Sequence, residues 1–465
     1  MKVSFFTFGC TVNNYESQEL SRKLSLIGDT ITERGDADVI IINSCVITGV
    51  AEKSALNLIE RMEKKNPDAL IILIGCYNEY IKKNGLKAVK ANNLHLLDKK
   101  RPDLPEEIHR LYREHEAKIS GAGRGAPDAP RNTDANAFDF KPARAIVQIH
   151  DGCGNDCSYC VVPHVRGGPA SAPYDEIERK IRDLTGRGYR DFVIAGLNPG
   201  CYDDNGLTLI DVLENINALP GVESLWLSSL EPMNIGRAFI ERLPRVDKLN
   251  PHLHISLQSG CDRTLSAMNR RYRFEDFEET LGEIRKNMPG ASISTDIIVG
   301  FPGESERDFE ESVENVVKCR FSDIHIFKFS RRTGTAAAEM DAQITEHVKN
   351  RRALLLKGVK MQTRYHFYSQ FIGKTEKAVL LRRPDDTSWE ALTAHNFPVI
   401  IRQNGSPGPT IGTAAGLAAD PAASLSAGPT ASLASNPAAS LAAGITSVKI
   451  TGMNVSQDTY TALFV

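Results

Sequence analysis

The chain of 465 residues has no run of roughly 18 consecutive apolar residues, so no segment qualifies as a membrane-spanning helix and no membrane partner is expected. No secretion leader is expected either. Met1–Gly9 carries one lysine and a short aromatic-rich stretch, without the apolar length and small-residue cleavage site of a signal peptide, and it reads as a first strand. There is no excess of either charge: 56 Lys and Arg against 58 Asp and Glu leave a formal net charge of −2. No global basic field therefore announces a nucleic-acid partner, although a local basic groove suffices for one. An even set of cysteines is also absent. Nine thiols in a chain without an export signal point to a reducing, cytoplasmic compartment with thiolate ligands or free thiols, and away from a disulfide framework. What is present, 41% apolar and 25% charged residues, is the balance of a globular protein, and the length calls for two or three domains.

The first hundred residues alternate strand and helix signals. Lys2–Phe8, Asp38–Asn43 and Ala69–Ile74 are apolar runs, and Ser17–Leu26 and Ala51–Lys64 between them have helical period. Strands buried on both faces and separated by helices predict a parallel-sheet α/β domain, taken as residues 1–115. Residues 116–142, rich in Gly, Ala, Pro, Asp and Asn, read as a linker. A second series, 143–365, offers strands at Ala145–Ile149, Asp191–Ala195, Ser224–Ser228, His254–Leu257, Ser292–Val299 and Asp323–Phe329, a partial (β/α)6 TIM-like barrel. Residues 366–465 carry shorter pieces at Lys377–Leu381, Pro398–Arg402, Ser447–Thr451 and Thr459–Val465, which suit a small β-barrel. Within it, residues 404–444 are Ala, Ser, Pro, Gly and Leu, with Pro-Ala-Ala-Ser-Leu at Pro421 and again at Pro437. That composition predicts a disordered low-complexity insert, whose interruption would leave the small barrel incomplete or loosely closed.

Chemistry is concentrated in Asp151-Gly-Cys153-Gly-Asn-Asp-Cys157-Ser-Tyr-Cys160. Three thiols spaced Cys-x3-Cys-x2-Cys can hold three corners of a [4Fe–4S] cluster from one loop and leave the fourth iron without a protein ligand. An open iron can chelate the amino and carboxylate groups of S-adenosylmethionine, whose one-electron cleavage gives a 5′-deoxyadenosyl radical. The loop follows the first barrel strand, at the end where barrel active sites are built. Zinc is the competing reading; it wants four protein ligands, and only the lone His164 stands nearby. Cys10, Cys45 and Cys76 each fall just beyond a strand of the N-terminal sheet. Parallel strands end on one edge, so these thiols either converge there or are separately buried. Cys201, Cys261 and Cys319 read as packing residues.

The chain resembles the radical S-adenosylmethionine methylthiotransferase family. The resemblance is carried by Phe8-Gly-Cys-Thr-Val-Asn-Asn-Tyr-Glu-Ser17, Cys157-Ser-Tyr-Cys-Val-Val-Pro163, Ser228-Ser-Leu-Glu-Pro232, Ser256-Leu-Gln-Ser-Gly260, Met268-Asn-Arg-Arg-Tyr272, Thr295-Asp-Ile-Ile-Val-Gly-Phe-Pro-Gly-Glu304 and Ser330-Arg-Arg-Thr-Gly-Thr335. It implies a second [4Fe–4S] cluster on Cys10, Cys45 and Cys76, beside the radical cluster on Cys153, Cys157 and Cys160. It also implies a C-terminal TRAM-like RNA-binding domain and S-adenosylmethionine used twice, as methyl donor and as radical source. An aromatic C–H bond offers no acid or leaving group to polar catalysis, which is why a radical is required. Cys10-Thr-Val-Asn-Asn-Tyr-Glu-Ser17 looks most like the branch that methylthiolates C2 of N6-threonylcarbamoyladenosine at position 37 in the transfer RNA anticodon loop. The isopentenyladenosine branch typically has Gln-Met-Asn after this cysteine, and the ribosomal-protein aspartate branch Pro-Lys-Asn.

Implied partners are transfer RNA, an electron donor such as flavodoxin or ferredoxin, and a sulfur source. Implied cofactor contacts are Tyr159, Gly196, Ser229, Glu231, Gln258, Gly300 and Pro302, each of which also reads as an ordinary turn or strand-end residue. Arg270, Arg271, Arg273, Arg331 and Arg332 are candidates for gripping RNA phosphates. The chain departs from the family after Arg166-Gly167, where Gly168-Pro-Ala-Ser-Ala172 replaces a basic stretch. A reading from another class is an iron–sulfur protein that binds RNA or carries electrons without turnover.

Overall fold

The computed structural model describes residues 1–32, 37–47, 49–85, 93–120, 144–385, 388–402, 445–454 and 459–464. Of the linker expected at 116–142, residues 116–120 instead continue the helix Leu104–Ser120; the remainder, like the low-complexity insert, lies outside the described residues. The chain forms two compact units, the first containing residues 1–141 together with His164–Arg166, and the second the other described residues.

The first unit is built on a five-stranded, all-parallel sheet ordered Thr30–Ile31, Lys2–Thr7, Val39–Ser44, Leu70–Gly75, Leu94–Leu96. Val39–Ser44 and Leu70–Gly75 are buried at every position, because helices cover both faces of a parallel sheet; that is the origin of their unbroken apolar runs. Helices Thr11–Leu26, Gly49–Lys65, Cys76–Asn84 and Leu104–Ser120 complete the unit. Val3, Leu20, Leu24, Ile41, Ile72 and Ile108 meet in one core.

In the second unit six strands, Ala145–Asp151, Asp191–Gly196, Ser224–Leu227, His252–His254, Ser292–Val299 and Asp323–Lys328, stand side by side in chain order. They pair in two groups of three, and the bridges Leu225–Leu249 and Leu230–Ile255 link the groups into a partial barrel. Alternation along each strand sends Val147, Ile149, Ile194, Leu225, Leu253, Ile293, Ile297 and Ile324 outward into a core shared with Ile177, Leu213, Leu281 and Val316 of the surrounding helices. The residues between them face the barrel interior. The strand expected at His254–Leu257 is instead His252–His254. Beyond it the Thr295 hydroxyl replaces the regular ladder, donating to Ile255 O at 2.7 Å and accepting from Leu257 N at 3.0 Å, and Gln258 follows in a left-handed conformation (φ +67°).

Helix Glu346–Ser369 runs four residues past Tyr365 before the small barrel begins. That barrel contains Thr375–Asp385, Ser388–Thr393, Pro398–Arg402, Thr459–Phe464 and Ile445–Asn454, and it is closed. The expectation of an incomplete or loose barrel is overturned: Ile445–Asn454 pairs with Thr375–Asp385 on one side and Thr459–Phe464 on the other. Ser388–Thr393 is a strand the sequence pattern did not suggest; Trp389 and Ala391 point from it into an aromatic core around Tyr368, Phe397 and Tyr460.

Candidate functional site

In the first unit Cys10 caps the helix Thr11–Leu26, Cys45 follows the strand Val39–Ser44 directly, and Cys76 opens the helix Cys76–Asn84. All three therefore stand at one edge of the sheet. Close packing there depends on glycine. Gly9 has φ +114°, and a Cβ added to it would lie 2.5 Å from Cys45 Cβ; a Cβ on Gly75 (φ +98°) would lie 2.4 Å from Asn43 Oδ1. The thiols also feel one another. Burial pushes Cys10 up and Cys45 up to about 12, and a thiolate at Cys76 adds to both.

The motif after Cys10 has a local reason. Asn13, Glu16 and Ser17 follow at helical spacing and share the face that meets the sheet edge. Asn13 Nδ2 donates to Asn43 Oδ1 at 3.0 Å, and Asn43 Nδ2 returns bonds to Asn13 O at 2.9 Å and Ser17 Oγ at 3.1 Å. Arg166, buried in the same unit, donates to Cys76 Sγ at 3.1 Å and to Glu16 Oε1 at 2.7 Å, while Lys99 bonds the same Glu16 oxygen at 2.7 Å. A guanidinium thus lies against one of the three thiols.

The second group of thiols occupies one loop. Gly152 (φ +67°) turns the chain out of the strand Ala145–Asp151; a Cβ there would sit 1.9 Å from the Gly168 carbonyl oxygen. Ser158 then anchors the loop, its N–H donating to Met268 O at 3.0 Å and its Oγ to Ala267 O at 2.8 Å. Each sulfur accepts at least one N–H: Cys153 from Asn155 N at 3.5 Å and Asn198 Nδ2 at 3.8 Å, Cys157 from Arg270 Nη1 at 3.2 Å, and Cys160 from Val162 N at 3.5 Å. Burial raises Cys157 and takes Cys160 up to about 12. Soft thiols in threes, supplied with N–H donors that stabilise sulfur charge, are a donor set that fits iron–sulfur ligation in both places.

The other anticipated residues divide by position. Tyr159 packs edge-on against Phe301 with ring centroids 6.5 Å apart. Gly196 ends its strand with N–H and C=O both bonded to Ser228 Oγ, at 3.0 and 3.1 Å, and Ser229 is half-buried beside it. Glu231 pairs with Arg270, and Gln258 is buried at its bend. Gly300 (φ +72°) donates its N–H to Glu304 Oε2 at 2.6 Å, with Glu304 held by Arg352 at 2.6 Å and Pro302 buried in the same turn.

Arg270 corrects an expectation. Read as a phosphate grip, its side chain is 0% exposed, ion-paired to Glu231, bonded to Cys157 Sγ and to Tyr272 Oη at 3.1 Å. Arg332 is likewise buried, whereas Arg271 and Arg273 remain on the surface in pairs with Asp156 and Asp262. Arginine-rich spelling alone could not reveal this, because the partners lie 39 and 113 residues away. Replacing Arg270 with Gln should destabilise the apoprotein by about 3 kcal/mol, since it strands a half-buried carboxylate. Arg270→Lys should recover only part, because one ammonium cannot reproduce the fork. Denaturation of the two variants checks this; an unchanged midpoint for both would refute it.

The Radical SAM superfamily model matches residues 147–316, and Uncharacterized protein family UPF0004 matches residues 2–96. Threonylcarbamoyladenosine tRNA methylthiotransferase MtaB of Thermotoga maritima is 34% identical over 380 residues, 80% of this chain and 85% of that protein. MtaB of Bacillus subtilis is 34% identical over 379 residues, covering 79% and 82%. The tRNA-2-methylthio-N(6)-dimethylallyladenosine synthase of Thermodesulfovibrio yellowstonii is 31% identical over 378 residues, covering 77% and 82%. The fold and the thiol loop are those of a radical S-adenosylmethionine enzyme. Within that class the chain belongs to the methylthiotransferase family, and its cofactors are S-adenosylmethionine and two [4Fe–4S] clusters. No helix among the described residues is long and apolar enough to cross a membrane.

Proposed function

We propose that this enzyme transfers a methylthio group to C2 of N6-threonylcarbamoyladenosine at position 37 of transfer RNA, in the cytoplasm. The observation that supports the reading is 34% identity over four-fifths of the chain to two MtaB proteins, against 31% to the dimethylallyladenosine synthase of Thermodesulfovibrio yellowstonii. In this reading Cys153, Cys157 and Cys160 hold the radical-generating cluster, and Cys10, Cys45 and Cys76 hold the auxiliary one. When bound, these groups supply one-electron cleavage of a sulfonium and a methylated sulfur for transfer. Residues 1–115 then form the methylthiotransferase domain, 143–365 the radical domain and 366–465 the TRAM-like RNA-binding domain.

The protein's own side chains have definable tasks. Arg270 neutralises charge at Cys157 while keeping Glu231 oriented at the barrel mouth. Ser158 holds the thiol loop to the segment after Ala267, which fixes the spacing between its sulfurs. Arg166 places positive charge beside the auxiliary thiols, and Lys99 pairs with the Glu16 that Arg166 also bonds. Tyr159, Gly196, Ser229, Glu231, Gln258, Gly300 and Pro302 line the approach for S-adenosylmethionine. A flavodoxin- or ferredoxin-type donor delivers the electron, and a separate source renews the sulfur.

Nucleoside analysis of transfer RNA from a strain lacking this gene tests the assignment. Loss of 2-methylthio-N6-threonylcarbamoyladenosine with accumulation of its unmethylthiolated precursor is expected. An unchanged level would reject it, and loss of the isopentenyl counterpart instead would move the enzyme to the other transfer RNA branch. If transfer RNA is unaffected but a ribosomal protein loses a methylthio-aspartate, the protein-modifying reading replaces both.

A further inference from the structure

The auxiliary thiols share their edge of the first unit with a buried ionic network that ligation by three sulfurs does not itself require. Arg166, whose side chain is 1% exposed, donates from Nε to Cys76 Sγ at 3.1 Å. Its Nη1 reaches Glu16 Oε1 at 2.7 Å, and its Nη2 reaches Asn13 Oδ1 at 3.4 Å. Asn13 Oδ1 also accepts from Cys10 Sγ at 3.2 Å. One guanidinium therefore meets one thiol directly and a second through a single oxygen atom. Lys99 bonds the same Glu16 oxygen at 2.7 Å.

The guanidinium is held from several sides. Asn13 and Glu16 stand one turn apart on the helix Thr11–Leu26, so both face the sheet edge. The Asn13 amide is fixed in turn by Asn43 Oδ1 at 3.0 Å and Ser44 O at 3.4 Å. Lys100 Nζ donates to Arg166 O at 3.2 Å and Lys83 Nζ to His164 O, which ties the backbone of His164–Arg166 to the same unit. Desolvating a guanidinium is costly and is offset only by charged or strongly accepting partners. A neutral thiol accepts weakly, whereas a thiolate accepts a charge-assisted bond. The contact at Cys76 is therefore arranged for charged sulfur. The thiol loop of the second unit repeats the arrangement: Arg270 donates to Cys157 Sγ at 3.2 Å and pairs with Glu231. One sulfur in each group is met by a buried arginine that a glutamate holds.

Hydrogen bonds to the sulfurs and local net charge are among the quantities that set the potential of an iron–sulfur cluster. Reduction adds one negative charge, so a cation that donates an N–H to sulfur favours the reduced form, and a carboxylate opposes it. We infer that Arg166 is a positioning residue of the auxiliary site: clamped by Glu16 and Asn13, it orients the Cys76 sulfur and raises the potential of the cluster held by Cys10, Cys45 and Cys76. This rests on the proposed assignment of those three cysteines. Glu16 acts in the opposite electrostatic sense, because its carboxylate partly neutralises the guanidinium that it holds.

The test uses the full-length chain carrying Cys153→Ala, Cys157→Ala and Cys160→Ala together, reconstituted with iron and sulfide so that only the auxiliary site is loaded. About four irons per chain are expected in this background. Their absence would sink the parent assignment before Arg166 is touched. A reductive titration followed by electron paramagnetic resonance then reads the midpoint potential. Arg166→Gln should lower the one-electron equilibrium constant for reduction about 10-fold, a downward shift of about 59 mV. Arg166→Lys, which keeps the charge and loses the fork, should fall between. Glu16→Gln should shift the potential upward. Opposite signs separate a tuned sulfur from mere support of the fold, since either substitution breaks the same Arg166–Glu16 pair. Shifts of one sign in both glutamine variants, or no shift with iron retained, would overturn the inference. If Arg166→Gln loses its iron, Glu16→Gln decides alone: an upward shift supports the inference and its absence overturns it.

Discussion

Cys157→Ala is expected to abolish the methylthio product and 5′-deoxyadenosine formation together, with about four of roughly eight irons lost from the reconstituted protein. The effect should exceed ~100-fold, because removing even an outer-shell partner of a metal ligand commonly costs 10–100-fold and here a proposed ligand itself is removed. The geometry sharpens the expectation. Cys157 is the sulfur that Arg270 touches, and Arg270 carries the pair with Glu231 at the barrel mouth, so the substitution removes a donor atom and leaves a buried cation with one fewer partner. Iron counting, electron paramagnetic resonance and product assay on the same preparation provide the check. Substantial 5′-deoxyadenosine production by the variant would mean that the radical arises elsewhere.

Cys45→Ala is expected to separate the two chemistries. The methylthio product should fall by a comparable factor, again with about four irons lost, while 5′-deoxyadenosine is still formed. The reason is that the Cys153–Cys160 loop is anchored by Ser158 to residues of the second unit, independently of the sheet edge that bears Cys45. Cys45 itself packs against Gly9 and accepts a bond from Ile47 N at 3.4 Å, so alanine should be tolerated sterically. Product formed at the normal rate by this variant would remove the auxiliary thiols from the mechanism.

The two thiol groups also show how unevenly a site can be read from spelling. Cys153, Cys157 and Cys160 lie within one loop, so their spacing alone announced a shared ligand. For Cys10, Cys45 and Cys76 the rule that parallel strands end on one edge left convergence and separate burial both open, the family resemblance implied a shared cluster, and their place against Gly9, Asn43 and Arg166 came from packing. Arg270 was misread because a basic triplet resembles a phosphate-binding surface; its burial depends on Glu231, Tyr272 and Cys157, which no local pattern links to it. The strand Ser388–Thr393 was missed because its glutamate interrupts the apolar run, and the strand expected at His254–Leu257 stops at His254, where the Thr295 hydroxyl takes the bonds of Ile255 and Leu257.

By itself, then, the sequence determined most of the sheet and barrel strands, through the period of their apolar residues, and the composition of one thiol loop, through three closely spaced cysteines. Tertiary structure alone decided which distant groups share a site: Cys76 with Arg166, and Glu231 with Arg270. The physical reason is that hydrophobic period records which way a residue faces, whereas the neighbour it meets is set by the register and curvature of strands far apart in the chain.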